Sequence, residues 1–500
     1  MNATDRSASA SGRVARSAED PAPSSAIGPA AGGTVDAAAG IARGSASSTA
    51  GTLAARADAI VAERLRAATA IEPLPGQATG TSAAALAASL SAGSPHAARF
   101  TAEIDAAVRG TALALAAARP HPADLWAAAA AFHPDPSVWF EQAVLLGHPT
   151  HPLARSRGEL TDDEIRAYAP EHGARFDLGL YWVEGLDEPP VWLSMCGRLE
   201  QLPVHPWQAA RHGLTTPVRT FRDAAPLMSL RTVSAGDLHI KTAVDLQLTS
   251  AVRHVSPASV HNGPFLSKYL SVPAAGQDIT LVTERAAIAR GPDGEPLSHL
   301  AAVIRLAPHC VGHPRAVPLA SLAEPDPATG RPIAAALAGD DLDAWWEALV
   351  GVALAPVRLF EATGVALEAH GQNALASFTG DRPTSLVYRD FGGVRVPRTG
   401  WPALEGDLQT DDADERLRKL TAALFPTTLT ALVDALATWT DTDPGRWWRS
   451  VDRALADIGG SAAQAMRTEP WAMKATTAMR LADRPTEDIW VPIENPLAAA

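Results

Sequence analysis

The segment from residue 365 to residue 393, VALEAHGQNALASFTGDRPTSLVYRDFGG, constrains the fold more than any other part of the chain. It opens with polar side chains on alternate residues, and an amide follows them: Glu368, His370, Gln372 and Asn373. Alternation of this kind is typical of a strand with one polar face. We therefore expect a strand whose polar face ends at the amide of Asn373.

The remainder of this segment predicts that the chain turns back on itself. The apolar run Ala374–Phe378 is followed by the loop Thr379–Thr384, which contains the turn-forming residues Gly, Asp and Pro. A second strand, Ser385–Arg389, then leads to Asp390, which directly precedes Phe-Gly-Gly. The sequence therefore predicts a β-hairpin that returns Asp390 toward His370.

The polar groups of this hairpin suit Mg²⁺ and a triphosphate. Magnesium takes one or two carboxylates and fills its octahedron with phosphate oxygens and water. Here Asp390 supplies a carboxylate and Asn373 an amide oxygen, while His370 and Arg389 supply hydrogen-bond donors at the rim. The alternative for each residue alone is a polar strand edge whose side chains bond only to the protein.

Composition limits the classes of function. Of the 500 residues, 47% are hydrophobic and 19% charged, enough for a sizeable core in two or three domains. The net charge of −13 argues against a general nucleic-acid binder, because affinity for the phosphate backbone comes from clustered Lys and Arg. Cys196 and Cys310 provide neither a disulfide framework nor a zinc cluster, and we interpret both as core residues. With no apolar run of membrane length and no secretion signal, we predict a cytoplasmic protein without membrane contact.

The pattern of apolar residues divides the chain into four parts: 1–52, 53–175, 176–335 and 336–500. The first consists largely of Ala, Ser, Gly and Pro without any aromatic residue, and we predict that it is disordered. The second is helical, with Asp124 as the N-cap of a helix over Leu125–Phe132. The third reads as strands, and the fourth returns to helices around the hairpin. Pro356 should interrupt the helical pattern of residues 342–364.

A proline-rich loop, GHPTHPLARSRG at residues 147–158, carries two histidines and two arginines. His148 and His151 have the spacing of a helical metal pair, but each precedes a proline, which disfavours helical geometry. Arg155 and Arg157 offer planar forks of donors, so the loop suits phosphate binding. A purely structural loop is the alternative.

A predicted strand over Ile240–Leu248 ends in two hydroxyls and a guanidinium: Thr249, Ser250 and Arg253. A substrate with several carboxylates needs hydroxyl donors for orientation and an arginine for bidentate pairing. The alternative is a solvent-facing strand end. Further strands are predicted over Leu281–Ile288 and Leu300–Leu306, and the second of these carries Arg305.

Six motifs follow one another in the order GHPTHPxxRxRG, LPVHPWQ, LTSAVR with HNGP, EAHGQN, YRDFGG, and K-x5-R with NPL. In sequence and order they resemble the siderophore synthetases that work independently of nonribosomal peptide synthetases, the IucA/IucC family. The resemblance extends from about Gly147 to Leu497. It implies a mixed α/β (α+β) enzyme, usually a homodimer, with a helical thumb at 53–175, β-rich fingers at 176–335 and an α/β palm at 336–500.

The resemblance also implies a reaction. Such an enzyme uses ATP and Mg²⁺ to adenylate a carboxylate of citrate or a related acid, and an amine or alcohol then displaces AMP. Ser250 and Arg253 would hold the acid, with His370 between acid and nucleotide, and Asp390 and Asn373 would hold magnesium. Nucleotide and phosphate contacts would come from His148, Arg155, Arg157, Thr249, Lys268, Arg305, Glu368, Gln372, Asn373 and Arg389. Arg155 stands where the family usually has lysine, which keeps the charge but changes the geometry.

Two other classes of function compete with this interpretation. A small-molecule kinase would explain His370, Asn373 and the Asp-Phe-Gly at Asp390, but Gln372 stands where a kinase needs an aspartate base. No Gly-rich loop with a following strand lysine precedes them. A non-catalytic binding protein for iron–siderophore complexes is the third class, and the polar hairpin disfavours it.

Overall fold

The computed structural model describes residues 36–187, 201–249, 251–484 and 487–498, with side chains described from Gly51 onward. Residues 51–500 form one compact unit. Helix α1, Asp36–Ile71, begins inside the segment 1–52 for which we predicted disorder. Over residues 36–52 the structure differs from that prediction, because this stretch is rich in alanine, the residue with the highest helix propensity. Residues 1–35 lie outside the described part.

Helices dominate the N-terminal part of this unit, as predicted. They are α2 Ala83–Leu90, α3 Ala97–Ala117, α4 Leu125–Phe132, α5 Ser137–Ala143 and α6 Asp162–Tyr168. The predicted cap of α4 is confirmed, since Asp124 Oδ1 accepts a hydrogen bond from the backbone N–H of Ala127 at 2.9 Å. Apolar side chains of α1, α2 and α3, among them Leu65, Leu86 and Phe100, form a local core.

The middle of the chain is rich in strands. They are β1 Phe176–Trp182, β2 Leu186–Asp187, β3 Gln201–Val204, β4 Arg219–Pro226, β5 Thr232–Ala235, β6 Leu238–Thr242, β7 Val244–Leu248, β8 Ala251–Arg253, β9 Ile279–Leu281, β10 Glu284–Arg290 and β11 Pro296–Leu306. Short helices lie between them: α7 Pro206–Arg211, α8 Pro257–Tyr269 and α9 Ser271–Ala275.

An antiparallel sheet of eight strands has the order β2-β10-β11-β6-β5-β4-β1-β3. Within it, His239 and Lys241 of β6 lie opposite Arg305 and Val303 of β11. Because residues two apart in a strand, and residues directly opposite each other, share a face, His239, Lys241 and Arg305 lie on one face of the sheet.

The single strand predicted from Ile240 to Leu248 is in fact two strands. β6 ends at Thr242, and β7 leaves the large sheet to pair with β8 in a two-stranded ribbon. All of β6 is buried, whereas burial alternates along β7. A strand buried on both faces needs no alternation, so the apparent common pattern concealed the break at Ala243.

The predicted hairpin is confirmed and consists of β13 Ala374–Thr379 and β14 Arg382–Tyr388, with a shorter turn than expected. The four-stranded sheet around it has the order β12-β13-β14-β9, where β12 is Ala316–Pro318. The strand predicted over residues 368–373 is wrong. The backbone N–H of Asn373 donates to the carbonyl of His370 at 2.9 Å and closes a turn there.

The C-terminal part packs helices around this small sheet. They are α10 Leu319–Leu322, α11 Ile333–Ala338, α12 Leu342–Ala353, α13 Ala355–Thr363, α14 Ala413–Leu424, α15 Thr430–Thr440, α16 Pro444–Ile458, α17 Gly460–Thr468 and α18 Thr476–Leu481. Strands β15 Trp471–Lys474 and β16 Trp490–Ile493 form a ribbon. The break between α12 and α13 falls just before Pro356, as predicted. Trp346 and Trp447 pack edge to face in this core, with ring centroids 5.9 Å apart.

One continuous helical stretch, Ala413–Thr440, is long and apolar enough to cross a membrane by length and composition, which we did not expect from the sequence. A π-helical turn joins α14 to α15 within it. Of its apolar window, 61% is buried inside the protein, as in the core helices of soluble proteins.

Candidate active site

The end of the β13–β14 hairpin presents Asp390. Its backbone has φ of 76°, a left-handed conformation that aspartate tolerates better than most residues. The hydroxyl of Tyr388 donates to the carbonyl of Asp390 at 3.0 Å, and the N–H of Gly392 donates to Asp390 Oδ1 at 3.3 Å. These bonds hold the carboxylate in one orientation.

Cations from the large sheet and from the bend before β5 lie around this carboxylate. Lys241 Nζ lies 2.5 Å from Asp390 Oδ2, and the Asp390 side chain keeps 24% of its surface exposed. Burial alone would raise the pKa of Asp390, but the charges of Lys241, Arg305 and Arg231 hold it well below its usual range. The carboxylate is therefore ionised while still open to a ligand.

A second carboxylate lies in the same cluster. Glu284 of β10 accepts a hydrogen bond from Arg305 Nη1 at 2.9 Å, and both side chains are buried. Burial raises the pKa of Glu284, and the neighbouring charge of Asp390 adds to this effect. The predicted phosphate contact Arg305 is thus placed beside Asp390, but its guanidinium is already paired.

His370 lies next to the same site, at the turn before β13. Its Nδ1 accepts a hydrogen bond from the backbone N–H of Gln372 at 3.3 Å, so in the neutral ring the proton is on Nε2. The pKa of His370 is lowered, chiefly by burial. Glu368 and Asp390 act on it in the opposite direction, while Arg389 and Arg253 reinforce the lowering. The ring is accordingly a neutral N–H donor at pH 7.

Glu368 and Asn373 are held next to this histidine. Asn373 Nδ2 donates to the carbonyl of Glu368 at 3.4 Å, which leaves its oxygen as the atom that could ligate a cation. A Cβ at position 393 would lie 2.0 Å from Glu368 Oε2, so a larger residue there would displace the Glu368 carboxylate from its present position.

The acid-binding candidates lie at the end of the β7–β8 ribbon. Arg253 donates through Nη2 to Thr249 Oγ1, and Thr249 has φ of 58°. Burial lowers the pKa of Arg253, and the opposite charge of Glu368 counteracts this. Arg253 is thereby placed in electrostatic contact with Glu368 and His370. Ser250, the other candidate, lies outside the described residues.

The loop at residues 147–158 contributes His148 but uses its arginines internally. Arg155 donates to the carbonyls of Val144 and Leu145, each at 2.5 Å, and Arg157 pairs with Glu171 at 2.5 Å. Both guanidiniums are buried and hold the loop together. They do not present the free donors that we predicted from the sequence. Arginine at position 155 thus reaches two carbonyls with one planar group.

Among the histidines and arginines of that loop, His148 alone is exposed. Its Nδ1 accepts from the backbone N–H of His151 at 3.3 Å. Partial desolvation by the loop and the positive charges of Arg64 and His370 lower its pKa. Arg64 of α1 donates to the carbonyl of Leu146 at 3.1 Å, a contact that sequence reasoning missed.

Two further candidates lie outside the group of side chains that contact Asp390. Arg389 is buried, pairs with Glu141 and donates to the carbonyl of Gln372 at 2.9 Å, so it orients the backbone next to His370. Lys268 is exposed in the last turn of α8. The nucleotide role of these two residues stays a prediction.

The structure therefore brings together a compact set of predicted residues: Arg253, Glu368, His370, Asn373 and Asp390. It adds residues that the sequence reasoning missed: Arg64, Arg231, Lys241 and Glu284. One signal was available, because Lys241 is one of only four lysines in the chain. The oxygen donors of Asp390 and Asn373 fit Mg²⁺, since an ionised carboxylate and an amide oxygen are ligands that it prefers.

Two family models match different parts of the chain. The IucA / IucC family model matches residues 137–185 and 198–324, and a model described as ferric iron reductase FhuF-like transporter matches residues 343–488. Staphyloferrin A synthase of Staphylococcus aureus (strain NCTC 8325 / PS 47) is 28% identical over 320 residues, 52% of this chain and 53% of that protein. The L-2,3-diaminopropanoate–citrate ligase of the same strain is 25% identical over 311 residues, 52% of this chain and 54% of that protein.

The chain thus spans about half the length of the curated relatives it matches. Among solved structures, ATP-bound aerobactin synthetase IucA from a hypervirulent pathotype of Klebsiella pneumoniae superimposes with a TM-score of 0.68 at 21% identity. The superposition covers 80% of this chain and 83% of that one. It confirms the mixed α/β fold class. Over residues 137–185 and 198–324, and in its overall fold, the chain is similar to the IucA/IucC siderophore synthetases.

Proposed function

We propose that this protein is an ATP-dependent synthetase that adenylates a carboxylate of citrate or a related acid and joins it to an amine or alcohol. AMP and pyrophosphate would be released. The names of the relatives support this class of reaction, since one is a synthase of a siderophore and another a ligase of an amine with citrate. The observation that carries the proposal is the placement of Arg253, His370 and Asp390 around one site.

Each of these residues would have a distinct task. Arg253, with Thr249 fixing one of its nitrogens, would pair with a carboxylate of the acid. His370 would donate its Nε2 proton to oxygen that gains negative charge during attack. Asp390 and Asn373 would hold Mg²⁺, which when bound would offset the charge of the triphosphate.

The positive charges around Asp390 would offset the main electrostatic repulsion in this reaction. A carboxylate that attacks the α-phosphorus of ATP approaches another anion, so positive charge must offset the repulsion. Lys241, Arg231 and Arg305 lie around Asp390 and would supply that charge. Fixed positions of the two reactants would add the acceleration that orientation gives.

The test is carboxylate-dependent exchange of labelled pyrophosphate into ATP over a panel of acids: free citrate, a citrate monoamide and a succinylated hydroxamate. We expect exchange with at least one acid and release of AMP when an amine is added. ADP as the product, without exchange, would support the kinase alternative. An iron–siderophore binding protein would show no ATP turnover with any acid.

We further propose the division into thumb, fingers and palm at 53–175, 176–335 and 336–500, a cytoplasmic location and a homodimer. The strand-rich middle and the helical ends of the chain support the division. Light scattering of the purified chain measures the oligomeric state directly.

A further inference from the structure

A group of potential metal ligands lies at the edge of the large sheet. Asp237 is in the turn between β5 and β6, and His309 and Cys310 are in the 3₁₀ turn Pro308–Val311 that follows β11. The backbone N–H of Ala307 donates to the carbonyl of Asp237 at 2.8 Å and ties the two turns together. Contrary to our interpretation of Cys310 as a core residue, it is only partly buried.

The three ligand atoms already lie at distances close to those of a metal site. His309 Nε2 is 3.3 Å from Asp237 Oδ1 and 3.1 Å from Cys310 Sγ, and all three atoms lie within 4.8 Å of one another. In a tetrahedral zinc site, bond lengths of about 2.0–2.3 Å place neighbouring ligand atoms about 3.3–3.6 Å apart. The two distances from His309 Nε2 are already close to that spacing, and the Asp237 and Cys310 atoms, which lie within 4.8 Å of each other, would close on the ion.

A buried carboxylate stands behind the histidine. Asp135 Oδ1 lies 3.7 Å from His309 Nδ1, and this nitrogen is buried without a hydrogen-bond partner among the described residues. Asp135 itself is held by His239 Nε2 at 2.6 Å and Ser234 Oγ at 3.0 Å. Metal-binding histidines commonly have such a carboxylate on the second ring nitrogen, where it orients the ring.

The charges at this position also favour a bound cation. The Asp237 carboxylate lies on one side of the His309 ring, 3.3 Å from Nε2, and the Asp135 carboxylate lies on the other side, 3.7 Å from Nδ1. Two carboxylates thus face the thiol and the imidazole, and a divalent cation would satisfy both while it displaces the thiol proton.

We propose that Asp237, His309 and Cys310 bind a divalent transition-metal ion of borderline softness, for which Zn²⁺ is the best match. A thiolate and an imidazole select such an ion over Mg²⁺, which distinguishes this site from Asp390. The three residues leave a fourth position for water. The ion would fasten the β5–β6 turn to the 3₁₀ turn.

The site is connected to the candidate active site by a short series of contacts. Asp135 bonds to His239, and His239 Nδ1 lies 3.4 Å from Arg389 Nη1, one residue before Asp390. A metal ion at His309 would fix the far end of this series. Its role is therefore structural, in support of the strand that carries Lys241.

The test uses the full-length chain, kept reduced and stripped of metal with a chelator that is then removed. Zn²⁺ is titrated in competition with a chromophoric chelator, and Co²⁺ is used to detect thiolate-to-cobalt charge-transfer absorption. We expect one Zn²⁺ per chain, the charge-transfer band with Co²⁺, and no displacement by excess Mg²⁺.

The chain offers a matched control, because it has only two cysteines. Cys310→Ser should weaken Zn²⁺ binding at least about 100-fold and abolish the cobalt band, whereas Cys196→Ser should leave both unchanged. Asp237→Asn, at a side chain that is 78% exposed and so safe for folding, should weaken binding about 10-fold or more. Unchanged affinity in Cys310→Ser and Asp237→Asn, or loss of the band in Cys196→Ser, would overturn the proposal.

Discussion

Lys241 Nζ lies 2.5 Å from Asp390 Oδ2, and this contact joins the eight-stranded sheet to the end of the hairpin in the neighbouring sheet. Lys241 comes from β6 and Asp390 follows β14, so the ion pair forms only when both sheets are complete. The Lys241–Asp390 ion pair therefore affects both the stability of the fold and the charge of the site.

The first prediction concerns the carboxylate itself. If Asp390 holds Mg²⁺, Asp390→Asn should lower pyrophosphate exchange by at least about 10²-fold, because a neutral amide is a poor replacement for the ionised ligand. Exchange is measured over a range of Mg²⁺ concentrations. Asp163→Asn, at a carboxylate that is 97% exposed, is the matched control and should retain full activity. Near-normal exchange in Asp390→Asn would remove Asp390 from the metal site.

The second prediction concerns the ion pair. Lys241→Met and Asp390→Asn should each lower the free energy of unfolding by about 2–3 kcal/mol, because each leaves one poorly solvated charge without its nearest partner. The double variant should lose much less than the sum. Urea unfolding of the four proteins measures this coupling. We expect the double variant to recover stability but not activity. Strict additivity of the two single effects would show that the two groups do not interact.

The third prediction concerns the acid. Arg253→Lys keeps the charge but loses the planar fork, so KM for the carboxylate should increase while KM for ATP changes little. Arg222→Lys, at an arginine whose side chain is 83% exposed, serves as the control. If KM for the acid stays the same in Arg253→Lys, the residue supports the ribbon through Thr249 and does not bind substrate.

The fourth prediction concerns His370. Loss of a donor that acts mainly in the transition state should appear in kcat, so His370→Ala should lower kcat by about 10²–10³-fold with KM for ATP nearly unchanged. Thermal denaturation run alongside gives the folded fraction. A variant that melts early but turns over normally per folded molecule would contradict the catalytic role.

A pH profile adds an independent readout for the same residue. The pKa of His370 is lowered, chiefly by burial, so the neutral ring persists below the usual histidine value of about 6.5. The wild-type kcat should therefore stay level as pH falls through that value and decline only in more acidic solution. A decline centred at about 6.5 would indicate an unperturbed histidine instead.

The fifth prediction concerns stability toward acid. His205 is completely buried, its Nδ1 accepts from the N–H of Trp207 at 3.2 Å, and burial lowers its pKa to about 3. The unfolded chain binds a proton near pH 6.5, so the stability from the neutral ring is complete above that pH and is lost as the pH falls toward about 3.

His205→Asn should therefore weaken the dependence of the unfolding free energy on pH by about 2 kcal/mol between about pH 6.5 and about pH 5. His261→Gln, at a histidine whose side chain is 63% exposed, should leave the dependence as it is in the wild type. Equal slopes for wild type and His205→Asn would show that another group controls acid sensitivity.

Local sequence signals predicted the elements well where the cause is local. The cap at Asp124, the interruption before Pro356 and the hairpin that delivers Asp390 each depend on residues within one turn of the chain. The polar alternation before Asn373 led to a wrong strand prediction, because alternating polar side chains are as compatible with a turn as with a strand.

The site was less predictable where its partners come from distant strands. Lys241 and Glu284 meet Asp390 only through the register of the large sheet. Arg155, Arg157 and Arg389 carried the right charge for phosphate, but Glu171 and Glu141 pair with them inside the protein. A single sequence gives no indication of which acidic residue a buried arginine will meet.

The position of β6 has a consequence for quality control during folding. Asp237 precedes this strand, His239 reaches Asp135, and Lys241 reaches Asp390, so residues two apart serve three different contacts. A slip of one residue against β11 would turn all of these side chains to the other face at once. A molecule with the wrong register would therefore be inactive and would not have an altered specificity. The specific activity of a preparation would then be proportional to its fraction of correctly paired molecules.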